Sequence, residues 1–233
     1  MVLVKPSFEI LEIMGVYGDY GIGRDALQLI EKAGRTCYKS EEKITEDSCI
    51  KFVDMVTKRG HESVLEHSAM TVKIICDRGV THEIVRHRLA AYSQESTRYC
   101  NYKGGVTFVI PPWVDEIERE IEYTNIEGTY FYKDEGLIYN IWTSSMCQCE
   151  ENYIDLLETG WSPQQARSVL PNSTKTEIVI TANFREWRHI LKLRTSKAAH
   201  PQMQEIMIPI LKELNNLFPI LFADIPIPTD NAY

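Results

Sequence analysis

Hydrophobic and polar positions follow two different periods along this chain, and each period predicts a different element. Between residues 69 and 76 the apolar side chains alternate, with Met70, Val72, Ile74 and Cys76 on one face. Such an alternation is the pattern of a half-buried β-strand. The sequence therefore predicts a strand here that packs one face against a core.

Helical periods cover most of the remaining chain. The predicted helices run over residues 25–38, from a cap at Thr45 to Gly60, from Gly79 through Arg88, and over 134–157, 162–170, 184–194 and 201–217. Further strands are predicted at residues 106–110 and 174–183. Gly18–Gly23 is interpreted as a loop, because its glycine spacing is not that of a dinucleotide-binding fingerprint.

The order of these elements predicts the fold class. Few strands, separated by helices of unequal length, favour a single α+β domain over residues 1–233. We expect a small central, mostly antiparallel sheet that is flanked by helices. There is no internal repeat and no low-complexity tract.

The composition is that of a globular protein, with 44% hydrophobic and 25% charged residues. No apolar run approaches the roughly 20 residues of a membrane helix, and the start of the chain lacks the features of a signal peptide. The six cysteines are scattered and have neither zinc nor thioredoxin spacing. We therefore expect a cytoplasmic protein with reduced thiols and no membrane contact.

The arginines are concentrated in two segments. The net charge is −8, but residues 78–98 and 167–194 together carry +6 and hold eight of the twelve arginines. Arginine suits forked recognition of phosphate and carboxylate. In an acidic protein, this concentration favours a pocket for a small polyanion over binding of nucleic acid. Pairing with surface carboxylates remains the alternative.

Two histidine-rich segments resemble metal sites but miss the required spacing. His61 and His67 are six residues apart, and His82 and His87 are five apart. Zinc ligation from one helix face needs histidines four residues apart. The sequence therefore predicts no bound metal.

Residues 86–99 combine arginine, histidine and several hydroxyl and amide groups. On a helix, Arg86 and Arg88 would lie about 200° apart. We therefore expect them to serve two surfaces, such as two anionic ligands or two subunits.

The predicted helix 184–194 has an arginine on its apolar stripe. Trp187, Ile190, Leu191 and Arg194 follow the helical spacing, and Arg185 and His189 share the neighbouring stripe. An unpaired buried charge is costly, so Arg194 needs a carboxylate partner or a ligand. Snorkelling at the helix end is the alternative.

Four ordered motifs resemble those of the flavin-dependent thymidylate synthases, or thymidylate synthase complementing proteins. Arg86-His87-Arg88 followed by Ser96 is similar to the signature motif of that family. The other motifs are Gly60-His61-Glu62-Ser63-x-x-Glu66-His67, Ala166-Arg167-Ser-Val-Leu-Pro171 and Asn183-x-Arg185-x-x-x-His189-x-x-x-x-Arg194. The resemblance spans roughly residues 60–205.

The resemblance implies a flavoprotein methyltransferase of thymidylate biosynthesis. Such an enzyme methylates dUMP reductively to dTMP. Methylenetetrahydrofolate is the carbon donor, and FAD reduced by NADPH is the hydride carrier. The family assembles as a homotetramer whose sites are shared between subunits.

The resemblance also implies roles for individual residues. The FAD site would comprise His61, Ser63, Arg86, His87, Arg88, Gln94, Asn183, Arg185 and His189. The dUMP site would comprise Glu83, Arg86, Gln94, Glu95, Ser96, Thr97, Arg98, Arg167 and Arg194. Arg194 would be the catalytic residue, since it would press on the uracil ring and favour its ionised form.

Three positions depart from the family pattern: Glu83, Ser93 and Gln94 stand where glutamine, asparagine and glutamate are common. A carboxylate at position 83 would be unfavourable beside a phosphate-binding site unless it pairs with Arg86 or His87. Two other functions stay open. A Ser/His hydrolase could use Ser96 and His87, although a nucleophile elbow is missing. A non-catalytic nucleotide-binding protein would need no flavin.

Overall fold

The computed structural model describes residues 1–14, 24–114, 124–126, 129–131 and 137–228. The predicted loop at Gly18–Gly23 and the predicted start of a helix at residue 134 lie outside the described residues. The other predicted helices and strands can be compared directly with the structure.

The described strands are β1 (Val2–Val4), β2 (Ser7–Ile13), β3 (Ala69–Asp77), β4 (Ala90–Gln94), β5 (Thr107–Val109), β6 (Thr124–Ile126), β7 (Thr129–Phe131) and β8 (Lys175–Asn183). The described helices are α1 (Arg24–Tyr38), α2 (Ser48–Lys58), α3 (Arg78–Ile84), α4 (Leu137–Glu158), α5 (Pro163–Ala166), α6 (Phe184–Arg194), α7 (Pro201–Leu217) and α8 (Pro219–Phe222). Short 3₁₀ segments lie at Glu41–Lys43, Glu62–His67 and Arg167–Val169.

A four-stranded sheet with the order β2-β3-β8-β4 forms the centre of the structure. Each neighbouring pair in it is antiparallel. β3 and β8 pair along their whole length, from Ala69 opposite Asn183 to Asp77 opposite Lys175. β1 and β5 form a separate parallel pair, and β6 and β7 an antiparallel one. The predicted α+β fold with a mostly antiparallel sheet is thus confirmed.

The two faces of this sheet differ in polarity. Met70, Val72, Ile74 and Cys76 are buried, as the alternation predicted. On this face Trp187 of α6 donates its indole N–H to the carbonyl of Met70 at 3.0 Å. The opposite face carries polar pairs instead, such as Thr71 and Thr181, whose hydroxyl oxygens lie 2.9 Å apart. Of the described helices, α6 therefore packs against the apolar face of the sheet.

Helices α6 and α7 have the predicted boundaries because their signals are local. Asn183 caps α6 by accepting the backbone N–H of Glu186 at 2.8 Å. Pro201 occupies the first turn of α7, where its missing N–H costs nothing. The predicted cap of α2 at Thr45 is wrong. α2 begins at Ser48, whose hydroxyl bonds to both the backbone N–H and the carbonyl of Thr45.

Helix α3 is shorter than predicted and ends at Ile84 instead of Arg88. Other elements take up its last carbonyls. The hydroxyl oxygen of Tyr92 lies 2.9 and 2.7 Å from the carbonyl oxygens of Ile84 and His87, so its one proton is shared between them. The chain then turns and forms β4, which was not predicted. The helical argument for Arg86 and Arg88 is therefore wrong, since both follow the end of the helix.

The short N-terminal strands β1 and β2 were also not predicted. β2 is an edge strand, and its pairing with β3 shifts register between Ile10 and Glu12. This irregularity disturbs the alternation of apolar and polar residues by which a strand is predicted. None of the six cysteines forms a disulfide. Among the helices that the structure describes, none has the length and apolarity needed to cross a bilayer.

Candidate active site

Three parts of the fold carry the predicted site residues: the end of α3 with the turn that follows it, the end of β4, and the junction of β8 with α6. The sheet brings them together. β4 pairs with β8 such that Ala90 lies opposite Ala182. The turn before β4 is therefore next to Asn183, where α6 begins.

Arg194, in the last turn of α6, is held by the C-terminal end of α3. Its Nε donates to Nε2 of His87 at 3.0 Å. Its Nη1 donates to Oε2 of Glu83 at 2.8 Å, and its Nη2 donates to the backbone carbonyl of Glu83 at 3.0 Å. The side chain of Arg194 is 19% exposed. A cation is favourable at this end of a helix.

These contacts settle two questions about charge. Arg194 does have the carboxylate partner that its place on the apolar stripe requires. Glu83 has Arg194 as its partner, and not Arg86 or His87, the two partners considered from the sequence. Glu83 lies in the last turn of α3, which faces the end of α6, whereas Arg86 extends outward from the following turn and is exposed.

His87 is the inward-facing residue of that turn, with 6% exposure. Its Nδ1 lies 3.6 Å from Oε1 of Glu186, and its ring meets that of His189 edge-on at 5.7 Å. Burial, with the charge of Arg194 and the neighbouring His189, lowers the pKa of His87 to about 4. Burial also raises the pKa of Glu186. His87 is thus neutral at pH 7.

His87, Glu186 and His189 offer ligand atoms that all lie within 4.8 Å of one another. Their hydrogen bonds do not suit a cation. Because Arg194 donates to Nε2 of His87, that nitrogen's lone pair is already used, and the proton of the neutral ring lies on Nδ1. The neighbouring guanidinium would also repel a metal ion.

A cleft of about 550 Å³ lies between the 3₁₀ segment Glu62–His67 and α6. It is lined by Glu62, Glu66, Leu89, Asn183, Arg185, Glu186, Arg188, His189 and Lys192. Its cations have carboxylate partners. Arg185 pairs with Glu66, and Arg188 donates to Oε1 of Glu62 at 3.3 Å.

Arg188 ties three elements together and is only 2% exposed. Its Nη1 and Nη2 donate to the two carboxylate oxygens of Asp224, each at 2.8 Å, and Nη1 also donates to the carbonyl of Leu221. Since it also reaches Glu62, this arginine joins α6 to the 3₁₀ segment and to the residues around α8.

The turn after α3 presents a different surface. Arg86 and Arg88 are exposed, and Leu89 is 76% exposed. Within the described ranges, neither of these two guanidinium groups has a hydrogen-bond or ion-pair partner. His87 points inward between them, so the turn sends its two cations outward.

The end of β4 is already bonded within the chain. Nε2 of Gln94 donates to the hydroxyl oxygens of Thr81 and Thr176 at 3.0 and 3.3 Å. Glu95 accepts from the hydroxyl of Tyr102 at 2.7 Å and pairs with Lys175 at 3.1 Å. A second cleft, of about 540 Å³, is lined by Lys73, Ser93, Gln94, Glu95, Lys175, Glu177 and Val179.

The loop after β4 brings the two arginine-rich segments together. Nη1 of Arg167 donates to the hydroxyl of Thr97 at 3.2 Å. Arg98 follows Thr97 directly, and both arginines are exposed. The hydroxyl of Ser96 accepts the backbone N–H of Arg98 at 3.3 Å. Arg98 and Arg167 therefore present two exposed guanidinium groups beside the hydroxyl of Ser96, while the buried Thr97 orients Arg167.

Comparison with known proteins identifies the family. A family model described as thymidylate synthase complementing protein matches residues 22–220. The chain belongs to this family. A flavin-dependent thymidylate synthase of Geobacter sulfurreducens is 32% identical over 200 residues, which cover 82% of this chain and 78% of the relative. That of Mycobacterium avium is 33% identical over 208 residues, 86% of this chain and 80% of the relative.

A solved structure supports the same fold. The UMP/dUMP methylase PolB from Streptomyces cacaoi, bound with 5-Br UMP, superposes with a TM-score of 0.71 over 96% of this chain and 95% of that one. The sequence identity is 21%, so the likeness shows the fold alone. The resemblance to the thymidylate synthase complementing proteins is confirmed.

The structure brings many of the residues that the family motifs assign close to one another. Glu83, His87 and Arg194 form one hydrogen-bonded network. Asn183, Arg185 and His189 line the cleft beside it. His61 and Ser63 are exposed at the start of the 3₁₀ segment and do not line that cleft. The roles of these residues stay predictions.

Sequence reasoning missed Glu186, which is buried beside His87. The signal that could have found it is the spacing Asn183-x-x-Glu186, since this pattern is typical of a helix start. It also missed Tyr92, which holds the turn through its hydroxyl. Burial, followed by the charge of Glu186, raises the pKa of Tyr92 to about 12, so the hydroxyl keeps its proton.

Proposed function

We propose that this chain catalyses the reductive methylation of dUMP to dTMP. The overall reaction converts dUMP, methylenetetrahydrofolate, NADPH and a proton into dTMP, tetrahydrofolate and NADP⁺. FAD, when bound, carries the hydride from NADPH to the transferred carbon. The observation that carries the proposal is the guanidinium of Arg194, fixed beside the cleft in a chain of the thymidylate synthase complementing family.

Arg194 is suited to activate the uracil. A guanidinium has five N–H donors, and three of them are engaged by Glu83 and His87. The remaining donors can stabilise negative charge that builds on the pyrimidine as its carbon 5 becomes nucleophilic. Because Arg194 is already positioned and mostly shielded from water, little reorganisation is needed.

The cleft residues fit part of a flavin dinucleotide. Asn183 uses its Oδ1 for the helix cap, which leaves its Nδ2 group as a donor. Arg185 and His189 lie on the exposed side of α6. Because carboxylates balance the cations of this cleft, a diphosphate needs more positive charge. Arg86 and Arg88 would supply it, and His61 and Ser63 would contribute from another subunit.

The loop after β4 fits the phosphate of the nucleotide. Arg98 and Arg167 can grip it with forked donors, and the hydroxyls of Ser96 and Thr97 add hydrogen bonds. Thr97 already orients Arg167 through the bond of 3.2 Å. Gln94 and Glu95 are held by neighbouring side chains, so they would contact dUMP from fixed positions.

We also propose a homotetramer with shared sites. Exposure of Arg86, Arg88 and Leu89 on one turn supports this assembly, since an apolar side chain and two cations there suit a neighbouring subunit and its flavin. Light scattering on the flavin-loaded protein measures the mass directly. A flavin-saturated monomer would contradict the shared site.

The spectrum and the products of the purified protein test the proposal. We expect flavin absorption after FAD is added, and dTMP formation that depends on dUMP, methylenetetrahydrofolate and NADPH together. UMP serves as the control nucleotide. A protein that binds no flavin, or that forms no dTMP with all substrates present, would overturn the proposed function.

The rival hydrolase has less support. It needs His87 as a base for Ser96. Nε2 of His87 accepts from Arg194 and its Nδ1 faces Glu186. The hydroxyl of Ser96 accepts a backbone N–H within its own loop. Among the described residues, no hydrogen bond therefore links this serine to an activating base.

A further inference from the structure

We propose that Glu83 is a displaceable counter-ion of Arg194. Its carboxylate forms an ion pair with the guanidinium in the nucleotide-free protein. This ion pair breaks when the anionic pyrimidine nucleotide binds. This inference rests on the proposed function. Glu83 would then compete with the nucleotide for Arg194 and would not itself be a ligand of dUMP.

The three bonds of Arg194 differ in how easily they can break. Two go to fixed acceptors, namely the buried ring of His87 and the backbone carbonyl of Glu83 in α3. The third goes to the carboxylate of Glu83, whose side chain is 41% exposed. Rotation of this side chain into water releases Nη1 without any movement of the backbone. The guanidinium keeps its place through the other two bonds.

The electrostatics require an anion in both states. Arg194 is 19% exposed and lies on the apolar stripe of α6, where an uncompensated charge is costly. Within the described part of the chain, Glu83 is the carboxylate that lies within ion-pair distance of it. Glu83 therefore stabilises the empty site. When the nucleotide is bound, the same carboxylate is a second negative charge that must move away.

Competition of this kind weakens nucleotide binding. The free energy that is spent on releasing Glu83 is subtracted from the binding free energy of the nucleotide. An amide at this position, which the family resemblance would lead one to expect, can still accept from Nη1 but neutralises no charge. Glu83→Gln thus removes the competition while it keeps Arg194 in position.

The first measurement is the affinity of FAD-loaded protein for dUMP by titration calorimetry. Glu83→Gln should bind dUMP roughly three- to ten-fold more tightly than the wild type, the range for a partly exposed charged hydrogen bond. KM for dUMP should fall with it, while kcat stays within about twofold, because removing the competing carboxylate strengthens the binding of dUMP and of the transition state equally. A role in folding alone would not produce this split.

Asp54→Asn is the matched control. Asp54 pairs with Lys58 on α2 at 2.8 Å and is 43% exposed, close to the 2.8 Å and 41% of Glu83, although Lys58 is more exposed than Arg194. The substitution changes the net charge by the same amount and removes a similar ion pair. Its affinity for dUMP should equal that of the wild type, and flavin content should be the same in all three proteins. Glu83→Gln should stay folded with a somewhat lower Tm, because its amide no longer neutralises Arg194.

Each outcome decides the proposal. Weaker or unchanged binding of dUMP by Glu83→Gln overturns it, and weaker binding would make Glu83 a ligand of the nucleotide. Glu83→Ala, which keeps the backbone acceptor, should also bind more tightly. If neither variant folds, the pair is structural and the proposal fails. If the wild type binds no dUMP, the proposed function fails as well. If the wild type forms dTMP and the variants bind dUMP with unchanged affinity, only the counter-ion role fails.

Discussion

The arginines of helix α6 and those of the turn after α3 belong to one candidate site but meet opposite surroundings. Each arginine of α6 that reaches the site has a carboxylate partner: Glu66 for Arg185, Asp224 for Arg188 and Glu83 for Arg194. Arg86 and Arg88 extend from the turn into solvent. Across the described residues, no carboxylate pairs with either of these two side chains.

The difference separates two uses of the same side chain. The arginines of α6 are fixed before any ligand arrives, so they lose little conformational entropy when one binds. The arginines of the turn have free donors and suit an anion that comes from outside the chain. The alternative suggested by the charge pattern, pairing with carboxylates, thus holds for one segment and not for the other.

Replacing Arg194 should have the largest effect. Arg194→Ala is expected to lower dTMP formation about 10²–10³-fold, or roughly 2.7–4 kcal/mol, because a preorganised donor to the reacting pyrimidine is lost. Flavin content should change little. Tm should fall much less than activity, because the buried Nε2 of His87 loses its donor while the exposed carboxylate of Glu83 is left to water. Arg194→Lys should recover little, because a point charge lacks the planar fork. A parallel loss of flavin or of Tm would make Arg194 a structural residue.

Replacing Arg188 tests whether the paired arginines of α6 also stabilise the fold. Arg188→Met should lower the free energy of unfolding by about 2–3 kcal/mol, since the buried carbonyl of Leu221 loses its donor. Urea denaturation at constant m-value measures it. Arg185→Met is the control, and its exposed pair with Glu66 should contribute nothing measurable. Equal losses of unfolding free energy in the two variants would contradict the idea that only the buried arginine stabilises the fold.

Replacing the arginines of the turn should separate binding from stability. Arg86→Ala and Arg88→Ala should each weaken FAD binding about tenfold, as expected for one charged hydrogen bond. Their unfolding free energies should stay within about 0.5 kcal/mol of the wild type. Quenching of flavin fluorescence measures the affinity. Lys51→Ala, which removes an exposed cation of α2, should leave it unchanged. Loss of stability without loss of flavin would show that the turn serves the fold.

The fold could be predicted where the signals are local. α6 and α7 follow from their apolar spacing and from the cap at Asn183 and the proline at 201. The end of α3 could not be predicted in this way. Its terminal carbonyls are taken by Tyr92 and by Arg194, and Arg194 lies 111 residues further along the chain. The backbone N–H groups of Arg86 and His87 bond to the carbonyls of Glu83 and Ile84 as well. A local turn and tertiary contacts together therefore decide where that helix stops.

The site shows the same division. Family motifs nominate Arg194 and His87, and the periodicity of α6 shows that Arg194 needs an anion. That this anion is the carboxylate of Glu83 depends on how α3 packs against α6. Glu186 was not predicted as a site residue, because its burial also depends on how α6 packs in the folded protein. Side-chain type and spacing thus predict which groups are needed, while their partners come from the tertiary structure.

The last prediction concerns His87, which joins the turn to α6, and it should produce the smallest effect. The pKa of His87 is about 4 in the folded protein against an ordinary value of 6.5. Below pH 6.5 the unfolded chain therefore binds more protons than the folded one. The contribution of His87 to stability is fully present above pH 6.5 and is lost as the pH falls towards 4. The loss between pH 6.5 and 5.5 should be about 1 kcal/mol.

His87→Asn isolates this contribution, because it removes the proton uptake of His87 and keeps the other titrating groups. The effect of Glu186 must be separated in this way. Because its pKa is raised in the folded protein, Glu186 binds a proton there at a higher pH than in the unfolded chain, and this stabilises the folded protein as the pH falls. Urea denaturation of both proteins at pH 6.5 and 5.5 gives the two differences. The wild type should lose about 1 kcal/mol more than the variant. Equal losses would mean that the turn is open enough for His87 to be protonated in the folded state, and the contrast between an inward histidine and two outward arginines would fail.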